Sequence, residues 1–257
     1  MKKSNLWGIL LMLICIIACC FTGFCQEGAR PVHIYLIGGA TMADRPKQLH
    51  PETGWGTRMK DFFDSTVVVV NKATMLESKI NPNNDLSNLI ADSVHKGDYV
   101  LIDPSAQLKS SLKNDDVLDK QSQKSLQQLL SRIKEKQAIP VLITPATNRK
   151  FDDKANVIPQ FVLLSSSLKK NALKDNIFFI DLQKQTTLLV QQFGLEDSKR
   201  LYNYLQEDQN PNYPQGKKDD VQLNEFGARK VAQIVLKDLR DAFPDLNSRV
   251  VKSNWSK

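Results

Sequence analysis

This 257-residue sequence predicts an α/β fold, a three-layer αβα sandwich around a five-stranded parallel sheet. Three observations carry that expectation. Five short apolar, β-branched runs are spaced along the chain, the stretches between them show helical periodicity, and a composition of 41% hydrophobic and 25% charged residues is that of a globular domain. The strand candidates in order are Val32 to Ile37, Thr66 to Val70, Asp98 to Ile102, Ile139 to Thr144 and Ile177 to Asp181, each bounded by polar or turn residues. Leu126, Leu129, Leu130 and Ile133 fall at i, i+3, i+4 and i+7, which defines one apolar helix face. Val231, Val235 and Leu239 repeat that stripe in the last segment. Alternation of strand and helix implies a parallel sheet covered on both faces. In such sheets reactive groups collect beyond the carboxyl ends of the strands. The segments Gly38 to Met42, Asn71 to Ser78, Asp103 to Gln107 and Pro145 to Arg149 should therefore line one crevice.

Ahead of this domain stands an export signal. Lys2 and Lys3 precede an apolar run that begins near Leu6 and is too short to favour a spanning helix. All four cysteines, Cys15, Cys19, Cys20 and Cys25, fall within it or just after it. Cleavage after Cys25 would leave a mature chain without cysteine, and so without any disulfide framework. Ile16-Ile17-Ala18-Cys19 resembles a bacterial lipobox, which would instead leave a lipidated Cys19. Either route predicts residues 1–25 as signal (or a lipoprotein signal ending before Cys19), residues 26–257 as one domain, and a place in the periplasm or cell envelope. Membrane contact is expected only through a lipid on Cys19. The net charge of +7 falls by two with Lys2 and Lys3, and the remaining basic residues are scattered without interleaved aromatics, which disfavours nucleic-acid binding.

The chemistry-bearing segments are Tyr35-Leu36-Ile37-Gly38-Gly39-Ala40-Thr41-Met42-Ala43, Gly54-Trp55-Gly56, Asn71-Lys72-Ala73, Gly97 to Ile102, Thr144-Pro145, Phe151-Asp152, Asn210-Pro211-Asn212-Tyr213-Pro214 and Leu223-Asn224-Glu225-Phe226-Gly227-Ala228. In this order they resemble the SGNH/GDSL hydrolases, flavodoxin-like in fold, and within them the rhamnogalacturonan acetylesterases, which remove acetyl esters from pectic polysaccharide. The resemblance spans nearly the whole of residues 26–257. It implies acetylated or pectic polysaccharide as partner and no cofactor.

Residue by residue, the resemblance places the family's reactive groups on side chains of different chemistry. Its first block is Gly-Asp-Ser-Thr, whose serine attacks the ester; here the same places read Gly38, Gly39, Ala40 and Thr41. A glycine of the second block donates its backbone N–H to the oxyanion, and its counterpart after Ala73 is Leu76. The asparagine of the third block corresponds to Gln107, and the glycine before it to Ser105. In the last block, Asp-x-x-His, Asp219 is kept and the histidine is Gln222. A glutamine amide has no titratable proton near neutral pH and is no general base. Loss of the serine or histidine of such a unit costs roughly six orders of magnitude in turnover, and loss of an oxyanion donor roughly two to three.

Other groups offer themselves as replacements. Thr41 is one place beyond the lost serine and has no evident base. Ser105 and Asp103 read more simply as a polar turn. Of the three histidines, His33 is a strand residue, His95 ends a surface helix, and His50 stands in the loop before Gly54, near the predicted crevice. Spread over separate elements, with no cysteine beside them, they make no metal cluster. Asp219 or Asp220 would suit the cap of the last helix. Asp115 to Lys120 reads as a solvated helix start. Trp55, Tyr204 and Tyr213 are candidate platforms for sugar rings, with core packing the alternative for Trp55.

The expectation is thus a pseudoenzyme that has lost acyl transfer and keeps a glycan-binding cleft, with ligand contacts at Thr41, Trp55, Gln107, Asp219 and Gln222. An active hydrolase rearranged around His50 and a scaffold that touches no sugar are the competing readings.

Overall fold

In the computed structural model the residues described are 30–74, 92–107 and 118–252, and the compact unit that holds the site begins at Val32. Five parallel strands form its sheet: β1 (Val32–Ile37), β2 (Val67–Asn71), β3 (Tyr99–Ile102), β4 (Ile139–Ile143) and β5 (Phe178–Ile180), in the spatial order β2-β1-β3-β4-β5. This is the predicted sheet, with each strand within a residue or so of its expected bounds. Register is set by pairs such as Ile34↔Val69, Ile34↔Tyr99, Leu101↔Val141 and Leu142↔Phe179. Pro140 lacks an N–H and lies ahead of the first β4–β5 pair, Val141↔Phe178, where no such bond is required of it.

Side-chain alternation sorts the strands onto two cores. On one face Ile34, Leu36, Leu101, Val141 and Ile143 pack against three helices: α1 (Trp55–Met59), α4 (Leu182–Asp197) and α5 (Glu225–Ala242). On the other, Tyr35, Ile37, Val100, Ile102 and Leu142 pack against α2 (Lys120–Glu135) and α3 (Val162–Lys174). Burial on both faces is why the strands read as continuous apolar runs rather than alternating ones. The predicted stripes do this packing, since Leu126, Leu129, Leu130 and Ile133 of α2 and Val231, Val235 and Leu239 of α5 are all buried. Asp119 caps α2 by accepting from Ser122 N at 2.7 Å, as the helix-start reading requires; Asp115 to Val117 lie outside the described residues. A short α6 (Pro244–Ser248) follows α5.

Two features depart from expectation. Lys217–Leu223 is a strand, β7, paired antiparallel with β6 (Tyr202–Leu205) in a separate two-stranded sheet, so Asp219 and Asp220 are strand residues and not a helix cap. The cap of α5 is Asn224, whose side chain accepts from Gly227 N at 3.0 Å while its amide donates to Arg200 O and Tyr202 O at 2.9 and 2.8 Å. It wins because it directly precedes the first helical residue, the position from which a short polar side chain reaches the free N–H groups. Gly227 lets α5 dock: a Cβ there would stand 1.8 Å from Leu201 O. Gly54 serves the same end before α1, its Cβ position being 2.0 Å from Ala43 O.

Candidate functional site

At the carboxyl end of β1 the chain makes one helical turn. Met42 N and Ala43 N both donate to Gly39 O, at 3.1 and 3.2 Å, and Ala43 N also reaches Ala40 O at 3.2 Å. Within this turn Ala40 is half-buried, a methyl with no hydroxyl to activate. Thr41 is also half-buried, and its carbonyl accepts from Trp55 N at 2.9 Å, which ties the turn to α1.

The neighbouring strand ends are laced to this turn. Asn71, last of β2, donates from Nδ2 to Met42 O at 3.0 Å and to Asp44 Oδ1 at 2.9 Å, and Thr74 N donates to Gly38 O at 3.0 Å. Leu76 lies outside the described residues. After β3, Asp103 N donates to Ile37 O at 2.8 Å, and a 3-10 turn Pro104–Gln107 follows. Gln107 closes that turn; its side chain lies outside the described part of the structure. Asp103 is buried against Gly38, and its carboxylate accepts from Ser105 N at 2.9 Å. Burial, only partly offset by the bonds to Ser105, pushes the Asp103 carboxyl up to about 6.

That shift has a consequence for stability. A carboxyl whose folded value is raised is favoured neutral, so its contribution is fully present below pH 3.8 and is lost as pH rises toward about 6. Asp103→Asn, which keeps the acceptor for Ser105 N, is expected to stabilise the protein at pH 7 by about 2 kcal/mol and to flatten stability between pH 4 and 6. Urea midpoints measured from pH 4 to 7 check both.

The last block meets the first through a residue that sequence reasoning missed. Arg45, with a side chain 3% exposed, donates from Nη2 to Gln222 Oε1 at 2.5 Å and lies 3.6 Å from Glu52 through Nε. Burial pushes its guanidinium below the ordinary value against the upward pull of Glu52. Glu52, itself buried, accepts from Tyr213 OH at 2.8 Å and pairs with Lys217 at 3.3 Å. Asp219 accepts from Val221 N and Gln222 N, at 2.8 and 2.9 Å, and lies 3.5 Å from Lys217. The retained acid thus shapes the backbone that carries Gln222 and faces a lysine. Arg45 gives no signal in the sequence, being a lone arginine in a loop whose partner is 177 positions away.

The predicted aromatic platforms are not free surfaces. Trp55, the first residue of α1, is 1% exposed in the core. Lys217 sits 5.0 Å over the Tyr213 ring, Arg149 5.5 Å over Tyr204 and Lys199 6.0 Å over it. Burial of Trp55 decides for its core-packing alternative and removes it as a ligand contact, while Tyr204 and Tyr213 are half-buried with cations over their rings. Among the histidines, His33 and His95 belong to the amino end of the sheet, beside Asp98 and the Ser93 carbonyl. Exposed His50 has Nε2 3.3 Å from Arg45 O, a contact that brings it no hydroxyl. Among the described residues no group of three or more His, Cys, Asp or Glu side chains is arranged to hold a metal.

A five-stranded parallel sheet covered by helices on both faces, a tight turn after its first strand and a late strand that carries Asp219 and Gln222 place the chain in the doubly wound α/β class. No family model matches the chain. It is 28% identical over 228 residues to the rhamnogalacturonan acetylesterase RhgT of Bacillus subtilis (strain 168), a match covering 86% of this chain and 95% of that protein. Among solved structures, the protein YXIM of Bacillus subtilis superimposes with a TM-score of 0.66 at 18% identity over 82% of this chain, which spans 57% of the length of that structure. A catalytic mutant of Axe2, an acetylxylan esterase from Geobacillus stearothermophilus, gives a TM-score of 0.51 at 15% identity over 82% of this chain and 94% of that one. The two structural likenesses show the fold. Together with the sequence relative they support the SGNH/GDSL, rhamnogalacturonan acetylesterase-like family that the motifs resemble.

Proposed function

We propose that this chain is an exported glycan-binding protein on a rhamnogalacturonan acetylesterase-like scaffold, without the acyl-transfer chemistry of its relatives. The observation that carries the reading is the Arg45–Gln222 bond at the place of the catalytic base. An amide bonded to a guanidinium neither takes a proton from a hydroxyl nor finds one on Ala40. What remains is a set of amide and charged side chains suited to holding sugar hydroxyls and acetyl groups. A relative named for acetylated rhamnogalacturonan supports pectic polysaccharide as the ligand class. Export through residues 1–25, with a lipid on Cys19 or cleavage after Cys25, completes this reading.

The test is direct. The purified protein, incubated with acetylated pectin and with a chromogenic acetate ester, is expected to release acetate at the rate of buffer alone. Turnover at the level of an active acetylesterase would overturn the proposal.

A further inference from the structure

The chemistry of the Arg45–Gln222 contact fixes more than the loss of a base. A guanidinium only donates, so the Gln222 atom it meets at 2.5 Å is the amide oxygen, and the amide cannot be turned over without setting two donors against each other. The amide nitrogen then points away from Arg45. Among the described residues it makes no other hydrogen bond. Donors are in excess around it, for Arg45 Nε and Nη1 are buried without an acceptor at hydrogen-bonding distance.

Charge in the same cluster is balanced. Glu52 lies 3.6 Å from Arg45 and 3.3 Å from Lys217, and Asp219 lies 3.5 Å from Lys217, so two cations face two anions. A bound anion would add a third negative charge to this group. An uncharged acceptor would add none, and would still meet the free N–H of Gln222.

We propose that Arg45 is a positioning residue that holds the Gln222 amide with Nε2–H outward, and that the site thereby recognises the carbonyl oxygen of an intact, uncharged acyl ester rather than a carboxylate. This rests on the non-hydrolytic, glycan-binding reading above and adds the group that is read. A histidine in this place works by taking a proton; Gln222 works by donating a hydrogen bond that leaves the ester whole. No bond is made or broken.

Gln222→Glu isolates the claim. It is nearly isosteric, keeps an oxygen for Arg45 Nη2, and replaces the outward N–H donor with an acceptor. Calorimetric titration of the full protein would use three probes: an acetylated rhamnogalacturonan oligosaccharide, the same oligosaccharide after saponification, and sodium acetate as competitor. The native protein is expected to bind the acetylated form roughly tenfold more tightly than the saponified form, the range of one directed hydrogen bond, with no competition from acetate. Gln222→Glu is expected to abolish that preference, the acetylated and saponified forms then binding with equal affinity. The ratio of the two affinities is the readout that a merely structural role would leave unchanged. Binding of both forms without preference, competition by acetate, or a preference that survives Gln222→Glu would overturn this inference and leave glycan binding standing. Failure of both oligosaccharides to bind would overturn both.

Discussion

Arg149→Ala is expected to lower the unfolding free energy by about 2–4 kcal/mol, the largest stability loss from any single polar side chain near the site. Arg149 follows β4 and is 8% exposed, yet its fork is fully used. Nε donates to Ser198 Oγ at 3.0 Å, Nη1 to Asp220 Oδ1 at 2.8 Å, and Nη2 to Leu195 O. Its backbone N–H adds a 2.7 Å bond to Asp220 O, and the guanidinium lies 5.4 Å over Phe151 and 5.5 Å over Tyr204. One side chain therefore ties the loop after β4 to the end of α4 and to β7. The ion pair itself contributes little, because Asp220 is 48% exposed. The loss comes from the void and from the acceptors left at Leu195 O and Ser198, the latter fully buried. Arg149→Lys should recover less than half of it, since an ammonium cannot span three diverging acceptors. Urea denaturation of the three proteins at one pH checks both. Since β7 carries Gln222, the alanine variant should also loosen the Arg45 contact.

The contrast between Arg149 and the main sheet shows what the sequence could disclose. The five strands were legible because burial on both faces demands uninterrupted Val, Ile and Leu, a signal contained within each segment. The helices that cover them announced themselves through period. β7 did not, since Lys217-Lys218-Asp219-Asp220-Val221-Gln222-Leu223 buries only its last residue and has no apolar alternation to betray a strand. Its partner β6 is four residues long, and the hairpin is held by backbone pairing that composition does not encode. The cap of α5 is legible in Asn224, which abuts Glu225, whereas Asp219 and Asp220 compete for the cap only while β7 goes unrecognised. Trp55, between two glycines, reads equally as platform or core; its place as first residue of α1, docked on the sheet, decides for the core. The altered reactive positions at Ala40 and Gln222 were visible because a resemblance said where to look. What now fills the space beside them was not visible, since Arg45, Glu52, Tyr213 and Lys217 come from segments about 160 positions apart and meet only after folding.

On the proposed reading, that network also sets how far acyl transfer can be introduced by substitution. The double substitution Ala40→Ser, Gln222→His is expected to raise hydrolysis of a chromogenic acetate ester about a hundredfold over the unmodified protein, with each single substitution within about threefold of it. The singles fail because a hydroxyl without a base and a base without a hydroxyl each leave the nucleophile unactivated, so their effects do not add. The double variant falls well short of the roughly six orders of magnitude that such a unit commands. Arg45 would stand beside the introduced imidazole and oppose the imidazolium formed as the hydroxyl is deprotonated. Asp219, which would have to stabilise that cation, already accepts from two backbone N–H groups and lies 3.5 Å from Lys217. The same guanidinium should draw the acid limb of the pH–rate profile below the ordinary histidine value of about 6.5. Steady-state rates of the four proteins between pH 5 and 9 decide the matter. Full activity in the double variant would mean that Arg45 moves aside freely and that the scaffold has lost two side chains and nothing more.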